Sequence, residues 1–230
     1  MTLAVNIAQG ASNNVTMRNR IINGAMVISQ RNGTSSVTCS DGTFLVDRFV
    51  YDSTQASKFT AQQSSTVPAG FSNSLLFTSS SAYSITASDY FLFEQRIEGN
   101  NVYDLGWGTA NAKTVTLSFW VYSSLTGTFG GSVFGGQYYP FSYTISSANT
   151  WEQKTITIVG STSGSWGTGT STGMRVAWSL GTGSTNSGTA GAWSGSSFFS
   201  ATGAVSVVGT SGATFYITGV QLEAGTTASP

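Results

Sequence analysis

The sequence has no histidine and only one cysteine, Cys39. The lack of histidine excludes every catalytic triad that depends on an imidazole and the common zinc sites that use imidazole ligands. A single cysteine cannot form a disulfide within the chain. Because no histidine is present to activate its thiol, Cys39 is predicted to be a small buried or turn residue rather than a nucleophile.

Charge is also scarce, at 8% of the 230 residues against roughly 25% in typical globular domains. Nine basic and nine acidic residues give a formal net charge of zero. No electrostatic field therefore favours a nucleic acid or an anionic membrane as a partner. The composition is 40% apolar and 13% aromatic, which is the opposite of the signature of disorder, so the chain is expected to fold.

Long apolar runs are absent too. No uninterrupted run approaches the roughly 18 residues that suggest a membrane span, so membrane insertion is not expected. The first 14 residues, "MTLAVNIAQGASNN", lack the basic start and long apolar stretch of a signal peptide. Synthesis in a cytoplasm is therefore expected.

What the sequence does contain is a series of short runs of β-branched and aromatic residues between clusters of Gly, Ser, Asn and Thr. Several runs alternate with a period of two, as half-buried strands do. They span residues 43–51, 73–79, 89–99, 113–124, 152–160 and 213–223. No amphipathic helix longer than two turns is found. The pattern predicts an all-β protein of around ten strands, a two-sheet jelly-roll sandwich with long Gly/Ser/Thr-rich loops.

Two segments leave alternatives open. Residues 160–212 are rich in Gly, Ser and Thr, with isolated Trp166, Trp178, Trp193 and Phe198. They are either long surface loops whose aromatic residues pack onto the sandwich, or ligand-facing loops at one edge of the sheets.

Residues 115–122, "VTLSFWVY", place Leu117 and Phe119 on a core face and Trp120 and Tyr122 on the opposite face. The outward rings either form a platform on which a sugar stacks or are covered by a loop or subunit.

The stretch "RNRIINGAMVISQRNGT" contains three of the chain's nine basic residues. Its centre, residues 21–28, is apolar and β-branched around an Asn-Gly turn or bulge, which predicts a strand. Arg18, Arg20 and Arg31 flank that centre. We interpret them as solvated or paired charges at strand ends rather than as a nucleic-acid-binding arm.

Four segments carry a family resemblance: "RIINGAMVISQRNGT", "DGTFLVDRFVYDS", "GWGTANAKTVTLSFWVYSSLTGTFGGS" and "GATFYITGVQLEAGTTASP". Over residues 20–230 the chain resembles the receptor-binding or tail-fibre virion proteins of tailed bacteriophages. Its terminal halves also resemble jelly-roll carbohydrate-binding modules, in which an opening strand such as "NRIINGAM" lies near a closing strand such as "FYITGVQLE". The strand that contains residues 21–28 is thus expected beside the strand that contains residues 215–222.

The resemblance implies a jelly-roll domain over residues 20–230 and a place in the virion, with other virion proteins as partners. It also implies a homotrimer and a host surface glycan as ligand. Residues 1–19 lack a core pattern and are predicted to be an extended arm. Calcium-binding members of the module families carry acidic residues where this chain has Ala25, Thr218 and Gly219. No metal and no cofactor are therefore expected.

Catalysis is not expected. Glycoside hydrolysis uses two carboxyl groups about 5–9.5 Å apart. On a strand, Glu94 and Glu98 of "EQRIE" have backbones about 13 Å apart, with Arg96 between them on the same face. This spacing favours a charge ladder over a catalytic pair, although a pair formed across strands with Asp89 or Asp104 stays an alternative.

Sugars bind to aromatic rings that are flanked by amides, acids or arginines. Three glycine-rich places, residues 100–108, 135–140 and 191–199, offer that mixture. The predicted ligand-binding residues are Tyr103, Trp107, Gln137, Tyr138 and Trp193, with Arg96 as a polar contact from the adjoining strand. The predicted function is a tail-fibre or tail-tip adhesin that recognises host glycans without catalysis. The alternative is a head-decoration or adaptor protein with no receptor role, in which these rings seal loops or subunit contacts.

Overall fold

A computed structural model describes residues 18–229. Their fold is built from strands and short 3-10 turns, with no α-helix in this range. The strands are β1 (Val37–Thr38), β2 (Thr43–Phe44), β3 (Phe49–Ser53), β4 (Phe59–Ser64), β5 (Ser74–Ser79), β6 (Tyr90–Glu98), β7 (Val115–Ser123), β8 (Gly127–Phe134), β9 (Tyr138–Ile145), β10 (Glu152–Ile158), β11 (Thr172–Thr182), β12 (Ser187–Gly188), β13 (Ser200–Ala201) and β14 (Thr214–Ala224). A search of residues 18–229 finds no helix with the length and apolarity needed to cross a membrane.

The strands form two six-stranded antiparallel sheets that pack face to face. Sheet A has the order β1-β4-β5-β14-β7-β10, and sheet B has the order β2-β3-β6-β11-β8-β9. The short parallel pair of β12 and β13 belongs to neither sheet, but β13 packs against β8 and β9 of sheet B. This architecture confirms the predicted all-β, two-sheet jelly roll.

Alternation along the strands directs one face of each sheet into a shared aromatic core. Leu117 and Phe119 of β7 are fully buried, as predicted. Phe93 of β6 stacks on Phe77 from sheet A at 4.7 Å between ring centroids and on Trp178 of β11 at 5.3 Å. Stacked and edge-to-face pairs of this kind add to the stabilisation that comes from burial alone. The opposite face of each sheet is called its outer face below.

The Gly/Ser/Thr-rich region is not all loop, because β11 runs through it as a central strand of sheet B. Trp178, grouped at first with the loop aromatics, is fully buried in the core. The physical reason is a period-two pattern, since Met174, Val176, Trp178 and Leu180 all face inward. Trp166 and Trp193 do pack onto the sandwich from loops, as one of the two interpretations held.

The predicted strand over residues 21–28 is wrong, although its predicted position is right. Asn23 and Met26 have φ values of +59° and +57°, which a strand does not accommodate, and the Met26 amide donates to the Asn23 carbonyl. The segment is a turn. It nevertheless lies beside β14, because the Val220 amide donates to the Gly24 carbonyl at 3.0 Å. Residues 1–17, most of the predicted arm, lie outside the described residues.

The three arginines near the start of the chain are paired or solvated, as predicted, and Arg31 is exposed. Arg20 donates to Asp104 at 2.6 Å, and Arg18 lies 3.6 Å from Glu223. The Arg31 guanidinium stands 4.2 Å from the centre of the Phe44 ring. Arg18 and Arg20 are therefore paired with acids, and Arg31 packs on a ring.

Candidate functional site

A row of four side chains crosses the outer face of sheet B. Arg96 of β6 lies opposite Arg175 of β11, Arg175 opposite Phe134 of β8, and Phe134 opposite Tyr138 of β9. Residues that are directly paired across antiparallel strands point to the same face. At about 4.8 Å between neighbouring strands, the row extends about 14 Å across the sheet.

The row is aromatic at one end. Phe134 and Tyr138 are stacked, with centroids 5.1 Å apart and planes 11° from parallel. Phe199, which precedes β13, packs against both at 5.4 and 5.7 Å, and against Tyr90 at 5.0 Å. Phe134 is buried, whereas the other three rings are partly exposed. This cluster presents ring surface beside the arginines.

The centre of the row is charged. Arg96 donates from Nη2 to both oxygens of Asp52, at 2.8 and 3.1 Å, and from Nε to Glu94 at 2.5 Å. Arg175 reaches the same Glu94 oxygen at 3.3 Å and also stands 5.6 Å from the centre of the Phe134 ring. Two guanidinium groups are thereby fixed in place by two carboxylates from neighbouring strands.

Glu94 is the buried member of this cluster, with no exposed surface. Burial raises the pKa of its carboxyl to about 7, and the hydrogen bond from Arg96 opposes that rise only in part. Its Oε2 atom has no hydrogen-bond partner among the described residues. Because Glu94 is fully buried and its Oε1 accepts from both arginines, its carboxyl holds their guanidinium groups in place.

The opposite end of the same face is a hollow of about 440 Å³. Phe44 of β2, 48% exposed, forms part of its wall, with Arg31 against its ring. Arg48 binds both oxygens of Glu98, at 2.8 and 2.9 Å, and this contact lowers the pKa of that carboxyl. A second hollow of about 300 Å³ lies at the aromatic end, and Thr172 lines both.

We call the outer face of sheet B from Phe44 to Tyr138 the groove. In a chain with few charges it is unusually rich in them. Four of the six arginines line it, together with four acids: Arg31, Arg48, Arg96, Arg175, Asp47, Asp52, Glu94 and Glu98. Basic and acidic residues are equal in number, so the groove offers fixed donors and acceptors with little net charge.

The predicted charge ladder is only half right. Arg96 does bind Glu94, but its second partner is Asp52 of β3 instead of Glu98, which pairs with Arg48. The reason is that β3 lies directly beside β6 and supplies a closer carboxylate than the next acid along the strand.

A second concave feature lies among the loops at one end of the sandwich. We call it the loop pocket. It is a cavity of about 540 Å³ lined by residues of segments 102–111 and 164–168 and by Met174. Trp107 and Trp166 form its aromatic wall, with ring centroids 4.9 Å apart, and Tyr103 stands at its edge, 67% exposed.

Four of the six predicted ligand-binding residues lie in these two features. Arg96 and Tyr138 lie in the groove, and Tyr103 and Trp107 line the loop pocket. Trp107 is not the exposed ring that its glycine-rich surroundings suggested. It is 7% exposed and belongs to the core cluster, because its Nε1 donates to the Lys113 carbonyl at 2.7 Å and Trp193 packs on it.

The remaining two predicted residues have structural contacts. Trp193 packs on Trp107 and Tyr139, and its Nε1 donates to the Val159 carbonyl at 2.8 Å. Gln137 lies between β8 and β9, where its side-chain oxygen accepts from Ser161 at 3.4 Å. Neither lines the groove or the loop pocket.

The sequence analysis missed Arg175, Phe134 and Phe199. The signal for Arg175 was available, because it alternates with the inward residues of β11. Phe134 and Phe199 carried no comparable signal, since their part in the groove depends on the cross-strand register.

The outer face of sheet A carries the outward rings of β7. Tyr122 packs against Tyr216 at 5.0 Å and Trp151 at 5.6 Å, with planes inclined by 78° and 48°. The rings are steeply inclined to one another and do not form one flat platform. Tyr122 is partly buried by these neighbours, which agrees with coverage by nearby chain more than with a planar sugar-binding surface.

Thr218 and Gly219, which stand where the calcium-binding modules carry acidic residues, make other contacts here. The Thr218 hydroxyl donates to the Asn73 carbonyl at 2.7 Å, and Gly219, with φ at +61°, packs closely against Phe71. Across residues 18–229, no three or more Cys, Asp or Glu side chains are grouped so that they could hold a metal ion.

No family model matches the chain. No curated protein matches it in sequence. Among solved structures, a candidate sugar-binding protein from Bacteroides thetaiotaomicron VPI-5482 is similar over 90% of this chain and 100% of that one, with 12% identity and a TM-score of 0.52. The chain therefore has a jelly-roll sandwich fold that it shares with that protein.

Two further solved structures are similar at lower TM-scores. One is TmCBM61 in complex with β-1,4-galactotriose, with 11% identity, 90% of this chain and 99% of that chain covered, and a TM-score of 0.44. The other is the enzymatically active domain of tailspike protein 4 of bacteriophage CBA120, with 13% identity and a TM-score of 0.46. That match covers 90% of this chain but only 21% of the tailspike chain.

Proposed function

We propose that the groove binds an uncharged oligosaccharide without catalysis. The observation that carries the proposal is the row Arg96, Arg175, Phe134 and Tyr138, which sets planar donors beside ring surface on one sheet face. A sugar presents C–H faces that pack on rings and hydroxyl edges that need both donors and acceptors. The row supplies these complementary groups within about 14 Å.

The charges of the groove favour a neutral ligand. Arg48 is paired with Glu98, and Arg96 and Arg175 are paired with Asp52 and Glu94. An anionic glycan would have to compete with carboxylates that already hold these guanidinium groups. Uncharged hydroxyls can use the remaining N–H donors and carboxylate lone pairs without breaking the ion pairs.

Burial of Glu94 supports binding without hydrolysis. A glycosidase needs two carboxyl groups that reach opposite sides of the scissile bond. Glu94 has no exposed surface, and Asp52 is held by both oxygens on Arg96. The same contacts suit residues that keep two arginines in fixed orientations.

The biological setting that we propose is a bacteriophage virion, in which the protein is a tail-fibre or tail-tip adhesin for a host surface glycan and assembles as a homotrimer. The support is the sequence resemblance to fibre-type virion proteins described above. Immunogold labelling of virions would locate the protein, and light scattering coupled to gel filtration would give its mass in solution. Labelling confined to the capsid would favour the head-decoration or adaptor alternative.

The binding proposal is tested with a glycan array that carries neutral and acidic oligosaccharides, followed by calorimetry with the best ligand. Tyr138→Ala should weaken binding by at least about 10-fold, which corresponds to 1.4 kcal/mol. Tyr122→Ala is the matched control, because it removes an equally half-buried tyrosine from the outer face of sheet A. Absence of any glycan binding, or an equal loss in both variants while both stay folded, would refute the proposal.

A further inference from the structure

The loop pocket has an apolar floor that is built before any ligand arrives. Val102, Met174 and the rings of Trp107 and Trp166 line it. The indole N–H groups of both tryptophans donate to backbone carbonyls, Trp107 to Lys113 at 2.7 Å and Trp166 to Ser163 at 3.0 Å. With their polar atoms satisfied inside the protein, these tryptophans offer ring carbon to the cavity.

Contacts with a third tryptophan also fix the rings of Trp107 and Trp166. Trp193 packs edge to face against Trp107 at 5.2 Å and against Trp166 at 5.6 Å. The backbone closes tightly around them, because a Cβ on Gly108 would lie 2.9 Å from the Trp166 ring and 2.7 Å from the Gly164 carbonyl oxygen. A rigid wall of this kind lowers the cost of binding, since no side chain has to be ordered by the ligand.

The edge of the loop pocket is polar and carries no net charge. Tyr103, Thr109, Asn111 and Thr168 contribute hydroxyl and amide groups. Asp104 is the one acid among the lining residues, and Arg20 neutralises it through a 2.6 Å contact. The edge therefore provides hydrogen-bonding groups without attracting a charged ligand.

We propose that the loop pocket is a second ligand site, which takes a single uncharged sugar ring such as the terminal residue of a glycan. A pyranose matches this cavity because its C–H face suits the indole wall and its hydroxyl edge suits the polar rim. The site is separate from the groove and does not rest on the function proposed for it. Segment 164–172 divides the two, with Thr168 on the pocket side and Thr170 on the groove side.

The six tryptophans provide the test, since each gives one indole N–H signal in a ¹⁵N NMR spectrum. The probes are the methyl glycosides of glucose, galactose, mannose and N-acetylglucosamine, each titrated to roughly 50 mM, with methyl glucuronide, the methyl glycoside of glucuronic acid, as a charged comparison. We expect at least one neutral probe to shift the Trp107 and Trp166 signals saturably. The Trp120 and Trp151 signals, from sheet A, should not move.

Three variants assign that response to the loop pocket. Tyr103→Ala should weaken binding about 5-fold or more, and it removes a ring that is 67% exposed and so leaves the fold intact. Thr168→Trp fills the cavity and should abolish the shift. Tyr138→Ala, in the groove, should leave it unchanged.

The proposal is overturned if no neutral probe shifts the Trp107 and Trp166 signals, or if methyl glucuronide binds as tightly as the best neutral probe. It is also overturned if the response survives Thr168→Trp or disappears only in Tyr138→Ala. The last result would place the sugar in the groove, so failure here is distinguishable from failure of the proposed function.

Discussion

Replacement of Trp107 by alanine should destabilise the whole protein. Its ring is 7% exposed and contacts Trp166 and Trp193 at centroid distances of 4.9 and 5.2 Å. Truncation of a buried aromatic ring to alanine costs about 3–5 kcal/mol. Loss of the hydrogen bond to the Lys113 carbonyl adds about 1 kcal/mol. The sum, about 4–6 kcal/mol, is a large part of the 5–15 kcal/mol that typically stabilises a domain.

Trp107→Phe separates the two contributions. It keeps a ring beside the other tryptophans and loses chiefly the hydrogen bond, so its cost should be about 1–2 kcal/mol. Trp151→Ala is a suitable control, because that ring is only half-buried on sheet A and should cost less than half as much as Trp107→Ala. Guanidinium denaturation followed by circular dichroism measures all three. A Trp107→Ala protein within about 1 kcal/mol of wild type would refute the inference that this ring is structural.

Three further predictions concern buried titratable groups. Burial raises the pKa of Glu94 from 4.5 to about 7. Between these pH values the carboxyl of Glu94 keeps its proton in the folded state and loses it in the unfolded chain. The stability of wild type relative to Glu94→Gln should therefore fall as the pH rises from 4.5 to 7, and a constant difference in denaturation experiments would contradict this. Although burial opposes it, hydrogen bonds from Thr86, Thr54 and Tyr83 lower the pKa of Asp89 to about 2. The contribution of Asp89 should be complete above pH 3.8 and lost as the pH falls through about 2, and Asp89→Ala should cost on the order of 3 kcal/mol in thermal or denaturant unfolding at neutral pH. Burial raises the pKa of Cys39 to about 12, so iodoacetamide should label the native protein at least about 100-fold more slowly than the denatured chain, and fast native labelling would show that the thiol is accessible.

Much of the fold was predictable because burial imposes a period of two on strands. Residues 73–79, 89–99 and 213–223 became β5, β6 and β14 with boundaries shifted by only one residue at most ends. Among the strands that the predicted runs leave out, two have an unusual composition. β8 contains Gly130 and Gly131, and β9 contains a proline.

Tertiary packing explains these exceptions. A Cβ on Gly131 would collide with the Phe141 ring, so a residue that weakens a strand on average is required at this place in the core. Pro140 is tolerated because β9 is the edge strand of sheet B. Neither the contact between Gly131 and Phe141 nor the edge position of β9 can be inferred from the sequence alone.

The groove was predictable only in part. Composition singled out Tyr138 and Arg96, but nothing in the chain order indicates that they lie in one row with Arg175 between them. That arrangement depends on the register of three strand pairs, which joins residues far apart in sequence. Local composition also misled for Trp107, since a glycine-rich setting suggested a loop with an exposed ring where the glycines instead allow close packing.

The segment that precedes the sandwich runs antiparallel to β14, and this orientation determines how the domain would respond to tension. Asn19 is bridged to Glu223, Arg20 donates to the Leu222 carbonyl, and the Val220 amide donates to Gly24. A pulling force applied at residues 18 and 224 would act at the same end of this pair, so its hydrogen bonds would be loaded one after another and not all together. The segment would separate from β14 one hydrogen bond at a time. Its release would add about 20 Å of chain, at about 3.3 Å per extended residue, before β14 itself is strained.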